Sequence, residues 1–235
     1  MTATEILDKL KSLENPSAKN VLLKHGAKEP FYGVKIEELK KIQKVVKKNY
    51  SLSLELYASG ISDAMYLAGL IADETKMTRD DLNRWAKEAS WQLISEYPVA
   101  WAAAESPYGL ELARQWIDSP EAHIATAGWA TLSGIVALHP DEQIDKELIR
   151  TLLDRVEKEI HTAPNRVRYV MNGFVISVGG SVPSLTEYAE ALGKRIGKVH
   201  VELGGTACKV PAIPDYIRKM RDKGYIGKKK KTVRC

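Results

Sequence analysis

Apolar residues recur along most of the chain at spacings of three and four residues, which is typical of amphipathic helices. The clearest stripe covers residues 143–161, where apolar side chains return every four residues at Ile144, Leu148, Leu152, Val156 and Ile160. Residues that favour a helix start precede other stripes. For example, Asn15 can cap a helix whose first residue is Pro16. The pattern predicts helices over 16–26, 36–49, 64–74, 91–104, 107–117, 119–138, 143–161, 165–177, 185–196 and 213–222, and one after Thr78.

These helices define the fold class that we expect. Short connections place successive helices antiparallel, and helix pairs of about 40 residues have the spacing of HEAT-type repeats. We therefore predict an all-α, HEAT-like repeat solenoid of antiparallel helix pairs with a concave groove, and a globular helical bundle is the alternative. In this interpretation residues 1–200 form a single repeat domain, and residues 201–235 form an extended C-terminal segment, a short helix and a basic tail.

Composition and cysteine content predict the cellular location of the protein and the cofactors that it needs. Hydrophobic residues make up 44% of the 235 residues, which is enough for a packed core. No apolar run approaches the ~18 residues of a membrane span, and the N-terminus lacks the pattern of a secretory leader, so we expect a cytoplasmic protein. Two cysteines, and histidines without metal-ligand spacing, predict neither a disulfide framework nor a metal or other cofactor. A curved monomer is the simplest expectation.

The formal net charge of +5 is unevenly distributed along the chain. Residues 1–50 carry a net charge of +5 and residues 190–235 carry +9, whereas residues 51–142 carry −9. Two basic ends around an acidic middle indicate a protein that grips a polyanion at its edges. The alternative is a basic tail that only solvates the protein.

Three stretches of the sequence carry a family resemblance. The first runs from Phe31 to Ile42 and places an aromatic residue, a glycine and a valine before a basic helix. The second is the tryptophan-bearing helix around Ser90 and Trp91, and the third is the C-terminal run 204–217 with the lysine-rich end 226–235. Together they resemble a divergent sub-branch of the DNA alkylation repair family, the AlkD-like, HEAT-repeat DNA glycosylases, over essentially the whole chain.

This resemblance implies the N-glycosidic removal of cationic alkylated purines from duplex DNA. A cationic base is already a good leaving group, so aromatic faces and one carboxylate beside the deoxyribose can supply the catalysis. In the family a tryptophan and an aspartate lie four residues apart on one helix; Trp91 matches the first, but Ser95 stands at the second. Glu96 is the neighbouring carboxylate, about 100° further round the helix. The second aromatic falls on Phe174 and the groove arginine near Thr126, so Trp91, Glu96 and Phe174 are the candidate catalytic residues.

Basic clusters are the candidate DNA contacts, because clustered lysines and arginines are typical of phosphate binding. One cluster lies on the helix 36–49 and at its start, and a second follows Pro164 at a helix start, where backbone N–H groups also attract phosphate. The third is the tail, which we expect to be mobile. The alternative for the first cluster is a solvated helix exterior. The predicted DNA-binding residues are Lys35, Lys40, Lys41, Lys44, Arg166, Arg168, Lys228, Lys229, Lys230 and Lys231.

The sequence leaves three functions open. The first is a DNA glycosylase in which Glu96 replaces the missing aspartate. The second is a non-catalytic protein that recognises damaged or distorted double-stranded DNA by its backbone and shape. The third is a helical-repeat scaffold for a protein partner, which the acidic middle segment favours. A carboxylate in the groove would favour the first function, basic groups without one the second, and an acidic or apolar groove the third.

Overall fold

The computed structural model describes residues 1–234, which form helices and connecting segments without a β-strand. The first helices are α1 (Ala3–Ser12), α2 (Pro16–Lys24), α3 (Ile36–Val46), α4 (Tyr50–Ala58), α5 (Ser62–Ile71), α6 (Arg79–Glu88), α7 (Gln92–Ile94) and α8 (Ala100–Ala104). They are followed by α9 (Gly109–Trp116), α10 (Ala122–Leu138), α11 (Lys146–Glu159), α12 (Asn165–Ser181), α13 (Thr186–Ile196) and α14 (Ile213–Asp222). None of these helices is long and apolar enough to cross a membrane.

Local sequence signals account for several helix starts. Asn15 caps α2 by accepting a hydrogen bond from the backbone N–H of Ala18 at 2.9 Å, and Thr78 forms a capping box with Asp81 at the start of α6. Both starts were predicted. Helix α3 ends before the predicted residue 49 because Lys47 takes a φ of +56°, outside the right-handed helical region. The sequence pattern gave no prediction for α1 and α4.

The helices stack as antiparallel pairs, each with an outer and an inner member. The pairs are α4 with α5, α6 with the segment α7–α8, α9 with α10, α11 with α12, and α13 with α14. The outer helices α6, α9 and α11 each bury one face, whereas all ten residues of α5 are buried. Because the inner helices pack side by side, they form one wall of a groove. This arrangement confirms the predicted all-α, HEAT-like repeat solenoid.

A widened helical turn interrupts the inner segment of the second pair. Residues Ser95–Val99, between α7 and α8, form a π-helical turn that contains Pro98. Proline has no N–H to donate, which accounts for the departure from regular helical hydrogen bonding. The turn packs closely on α5, since a Cβ atom added at Gly69 would lie 2.6 Å from the Cα of Pro98. A π turn adds a residue to the helix, so it changes which side chains face the groove.

The C-terminal tail, residues 225–234, crosses the C-terminal ends of the inner helices. The Nζ of Lys229 donates to the carbonyl oxygens of Val136 at 3.0 Å and Ser181 at 2.6 Å, at the ends of α10 and α12. The backbone N–H of Lys230 donates to the carbonyl oxygen of Ala137 at 2.8 Å. These bonds satisfy carbonyl groups that a helix end leaves without partners. The tail, which was expected to be mobile, is packed against these helix ends in the structure.

Arg234 anchors the far end of the tail. Its guanidinium donates to the carbonyl oxygen of Ala72 at 2.7 Å, just after α5, and pairs with Glu74 at 2.8 Å and Glu105 at 3.0 Å. Burial works to raise the pKa of Glu74, but the hydrogen bond from Lys48 and the charge of Arg234 outweigh it and hold that pKa below its usual range. The tail thus ties together the ends of α5, α8, α10 and α12.

Candidate nucleic-acid interface

The groove is a cavity of about 300 Å³ between the inner helices, closed on one side by the tail. The π turn and α8 contribute charged and aromatic groups to its lining, and the tail contributes Lys230 and Val233. Small side chains dominate the walls from α10 and α12, namely Ala130, Ser133, Gly134, Ala137, Ser177, Gly180 and Ser181. The space beside Gly180 is filled by Met220, and the space beside Gly134 is filled by Ala104 and Val233, so these short side chains let the protein's own residues pack there.

Glu96 supplies the one carboxylate among the described residues that line the groove, and this carboxylate is paired. Arg166 donates from Nε to one carboxylate oxygen and from Nη2 to the other, the second bond at 2.7 Å. The side chain of Glu96 is 5% exposed and that of Arg166 is 25% exposed. Burial raises the pKa of the Glu96 carboxyl above its usual range even though Arg166 favours the charged form. Both oxygens are therefore engaged with a cation of the protein itself.

Aromatic rings surround this ion pair. Tyr97 and Trp101 lie four residues apart in the groove lining, and their ring centroids are 5.5 Å apart in an edge-on arrangement. The guanidinium of Arg166 lies over the ring of Tyr169, 4.0 Å from its centroid. Burial raises the pKa of Tyr169 above its usual range. Of these rings, Tyr97 is exposed and offers a stacking surface to a base or sugar, whereas Trp101 is buried.

Trp91 does not reach the groove. It precedes α7, is 6% exposed, and donates from Nε1 to the hydroxyl of Ser62 at 2.7 Å. Its ring lines a separate, mainly apolar cavity of about 360 Å³. The matching of Trp91 to the family's reactive tryptophan assumed one regular helix from that residue, whereas the helix is widened at Ser95–Val99. The groove lining contains Tyr97 and Trp101 instead, of which Tyr97 is exposed and Trp101 is buried in the core. Sequence reasoning missed Tyr97 although Pro98 signals an irregular turn.

The other positions suggested by the resemblance point into the core. Phe174 is fully buried and packs on Trp129 with ring centroids 5.3 Å apart, so the expected stacking on a sugar does not fit its placement. Ser95 is fully buried, and so is Thr126 to within 1%. Neither hydroxyl has a hydrogen-bond partner within residues 1–234. These three positions lie in helix-to-helix contacts and not in the groove.

The basic residues that were expected to bind DNA lie in different parts of the structure. Lys230 lines the groove, and Arg166 lies behind that lining, paired with Glu96. The side chain of Arg168 donates to two backbone carbonyl oxygens at 2.8 and 3.0 Å, and Lys229 is held by carbonyl oxygens as described, so both serve the fold. Lys228 is exposed and lies over the ring of Tyr225, 4.9 Å from its centroid.

The lysines of α3 and its start lie apart from the groove lining. Lys41 pairs with Glu38 at 2.6 Å, and the exposed Lys35 stands 3.8 Å from a carboxylate oxygen of Glu37. Lys40 is half-buried on the same helix. A DNA contact by these three residues stays a prediction that needs a ligand reaching beyond the groove.

A third cavity, which we call the basic cleft, lies on the other side of the tail and has a volume of about 910 Å³. Two distant parts of the chain supply its cations, which are Lys44, Lys47, Lys48, Lys230, Lys231 and Arg234. Its lining also holds Glu74 and Glu105, and both are paired with Arg234. The two basic ends of the sequence thus meet in one place.

The stacked helix pairs, the groove and the basic surfaces define a HEAT-like repeat protein with an interface suited to nucleic acid. Residues 6–195 match the family described as DNA alkylation repair enzyme, and the chain belongs to that family. A solved structure described as "a new family of proteins related to the HEAT-like repeat DNA glycosylases with affinity for branched DNA structures" superposes with a TM-score of 0.91; it shares 33% sequence identity, and the match covers 100% of both chains.

Two bacterial relatives have a similar length. An uncharacterized protein of Listeria monocytogenes, Lmo0209, is 34% identical over 229 residues, covering 95% of this chain and 99% of the relative. An uncharacterized protein of Listeria innocua, Lin0241, is 33% identical with the same coverage. The predicted family membership is confirmed along with the fold.

Proposed function

We propose that this protein binds branched or otherwise distorted double-stranded DNA through its groove and does not excise bases. The observation that carries the proposal is the buried pair of Glu96 with Arg166. Base excision develops positive charge on the sugar, and its stabilisation needs a carboxylate that faces the substrate. Here the carboxylate is paired with Arg166, so the groove presents the cation of Lys230 and aromatic groups without a free negative charge.

The solved relative supports the choice of ligand. Its family is described as having affinity for branched DNA structures, and the match to this chain is complete in length. A cavity of about 300 Å³ is too small to enclose a double helix, so Lys230 and the exposed ring of Tyr97 would contact a DNA backbone that runs along the mouth of the groove. Recognition of this kind uses backbone position and DNA shape, so we expect weak dependence on base sequence.

The acidic residues of the chain argue against a protein scaffold as the main function. In the segment 51–142 several of them lie on outer helices, such as Asp80 on α6 and Glu111 on α9. Glu74 and Glu105 are paired with the tail. Glu96 is the acidic residue of the segment 51–142 that lines the groove. The acidic side chains of this segment therefore do not make the groove acidic, as the scaffold function would require.

The first test measures binding of a four-way junction and of a linear duplex with the same sequence, over a range of salt concentrations. We expect tighter binding to the junction and a steep loss of affinity with salt, because phosphate contacts release counterions. Tyr97→Ala should weaken binding about tenfold or more, since loss of one stacked aromatic costs about 1–3 kcal/mol. Leu110→Ala, which shortens a similarly exposed side chain on α9, is the matched control.

The second test asks for base excision directly, as single-turnover release of 7-methylguanine from methylated duplex DNA. We expect release no faster than spontaneous depurination for the wild-type protein. Release well above that rate, abolished in Glu96→Gln, would contradict the proposal and establish a glycosylase with a relocated carboxylate. Equal binding of junction and linear duplex would contradict the preference for branched DNA.

A further inference from the structure

We infer that the basic cleft binds the sugar–phosphate backbone of a second DNA arm, so that the protein holds a branch point across its C-terminal tail. This inference rests on the proposed function and adds a second contact surface to it. A junction differs from a linear duplex in having arms that diverge from one point. A protein prefers the junction when two separate surfaces can each hold one arm.

The first argument is the charge that the basic cleft leaves available. Lys44, Lys47 and Lys231 are exposed and form no ion pair within residues 1–234. The two carboxylates of the lining are already neutralised, Glu74 by Lys48 and Arg234, and Glu105 by Arg234. A cavity with several uncompensated ammonium groups attracts a polyanion.

The second argument concerns the helix ends at the cleft, whose partial negative charge would repel a polyanion. The C-terminal ends of α5, α8 and α10 converge on the basic cleft through Leu70, Ala104 and Leu138, and helix C-termini carry partial negative charge. The tail offsets this charge, since Arg234 donates to a carbonyl oxygen after α5 and the backbone of Lys230 donates to one at the end of α10. Within residues 1–234 the side chains of Lys44, Lys47 and Lys231 form no hydrogen bond to these carbonyl groups, so their charge stays available to a ligand.

The third argument is position. Lys230 lines both cavities, Val233 lines the groove, and Thr232 between them in sequence lines the basic cleft. The tail is therefore the shared wall, and backbones bound on its two sides would meet at the tail. A cavity of about 910 Å³ has the size of a ligand site and not of a double helix. It would take a few nucleotides of one strand at the edge of the second arm.

The test uses the full chain with the triple substitution Lys44→Gln, Lys47→Gln and Lys231→Gln, which spares Lys230 and the groove. The matched control is Lys87→Gln, Lys146→Gln and Lys158→Gln, which removes three exposed lysines from the outer helices α6 and α11. Dissociation constants are measured for a four-way junction and for a linear duplex in the same buffer. Unchanged thermal unfolding shows that each variant is folded.

We expect the cleft variant to bind the junction at least tenfold more weakly, to bind the linear duplex within about twofold of wild type, and to show a shallower salt dependence for the junction alone. The control variant should keep the junction preference. If the cleft variant keeps that preference, or loses affinity equally for both DNAs, the inference is overturned. If wild-type protein has no junction preference at all, the proposed function fails first, and the two failures are thereby distinguished.

Discussion

The buried pair of Glu96 and Arg166 predicts that removing the arginine destabilises the protein more than removing the carboxylate charge. Arg166→Met leaves a carboxylate that is 5% exposed without its partner, whereas Glu96→Gln leaves an arginine that is 25% exposed and still lies over the ring of Tyr169. Removing one partner of a buried ion pair costs about 3–5 kcal/mol when the other charge stays buried. We expect that cost for Arg166→Met.

The cost of Glu96→Gln should be smaller, about 1–2 kcal/mol. Glutamine still accepts a hydrogen bond from Arg166, and water reaches the guanidinium through its exposed part. The double variant should be close to Glu96→Gln in stability, because no unpaired buried carboxylate remains. Urea denaturation of the three variants and wild type forms a double-mutant cycle that measures this coupling.

The pH dependence of the stability loss in Arg166→Met tests whether the unpaired carboxylate of Glu96 causes that loss. The pKa of Glu96 is raised in the folded protein, so the folded state binds more protons than the unfolded state, and stability falls as pH rises through the raised pKa. Without Arg166 this pKa must rise further, because only the burial contribution remains. The loss caused by Arg166→Met should therefore be smaller at about pH 5 than at about pH 8. The reasoning is refuted if Arg166→Met costs no more than Glu96→Gln, or if its cost is independent of pH.

Three other changes test the π turn, the core and the tail. Ser95→Asp buries a carboxylate at a fully buried position, so we expect a loss of several kcal/mol and no gain in 7-methylguanine release, while Ser95→Ala should stay within about 1 kcal/mol of wild type in urea denaturation. Gly69→Ala should cost about 1–3 kcal/mol because its Cβ meets Pro98, and Gly173→Ala, which has open space around its Cβ, should not lower the melting temperature. Arg234→Met should cost about 3–5 kcal/mol because the largely buried Glu105 loses its cation and Glu74 keeps only Lys48; an unchanged melting temperature would show that the tail does not anchor the helix ends.

The fold could be predicted because its determinants are local. The apolar period of each helix and the caps at Asn15 and Thr78 lie within a few residues of the structure that they specify. The last helix was predicted with the bounds that the structure has, Ile213–Asp222. Helix pairing then follows from short connections, which leave neighbouring helices little choice except to lie antiparallel.

The groove could not be predicted in the same way because one irregular turn decides it. Counting from Trp91 along a regular helix leads to Ser95, and the structure buries both residues. The π turn at Ser95–Val99 brings Glu96 and Tyr97 to the groove instead. The partner of Glu96 is Arg166, separated from it by 70 residues, and no local pattern reveals such a pairing.

The tail shows why charge counts alone do not separate structural cations from binding cations. Lys229 and Arg234 are held by helix-end carbonyl groups and buried carboxylates, so their charge is used inside the protein. Lys231, between them in the sequence, is exposed and forms no ion pair within residues 1–234. Salt screens exposed charges much more strongly than buried pairs. Added salt should therefore release a bound polyanion before it loosens the tail, and this difference allows one basic segment both to stabilise the helix ends and to bind DNA reversibly.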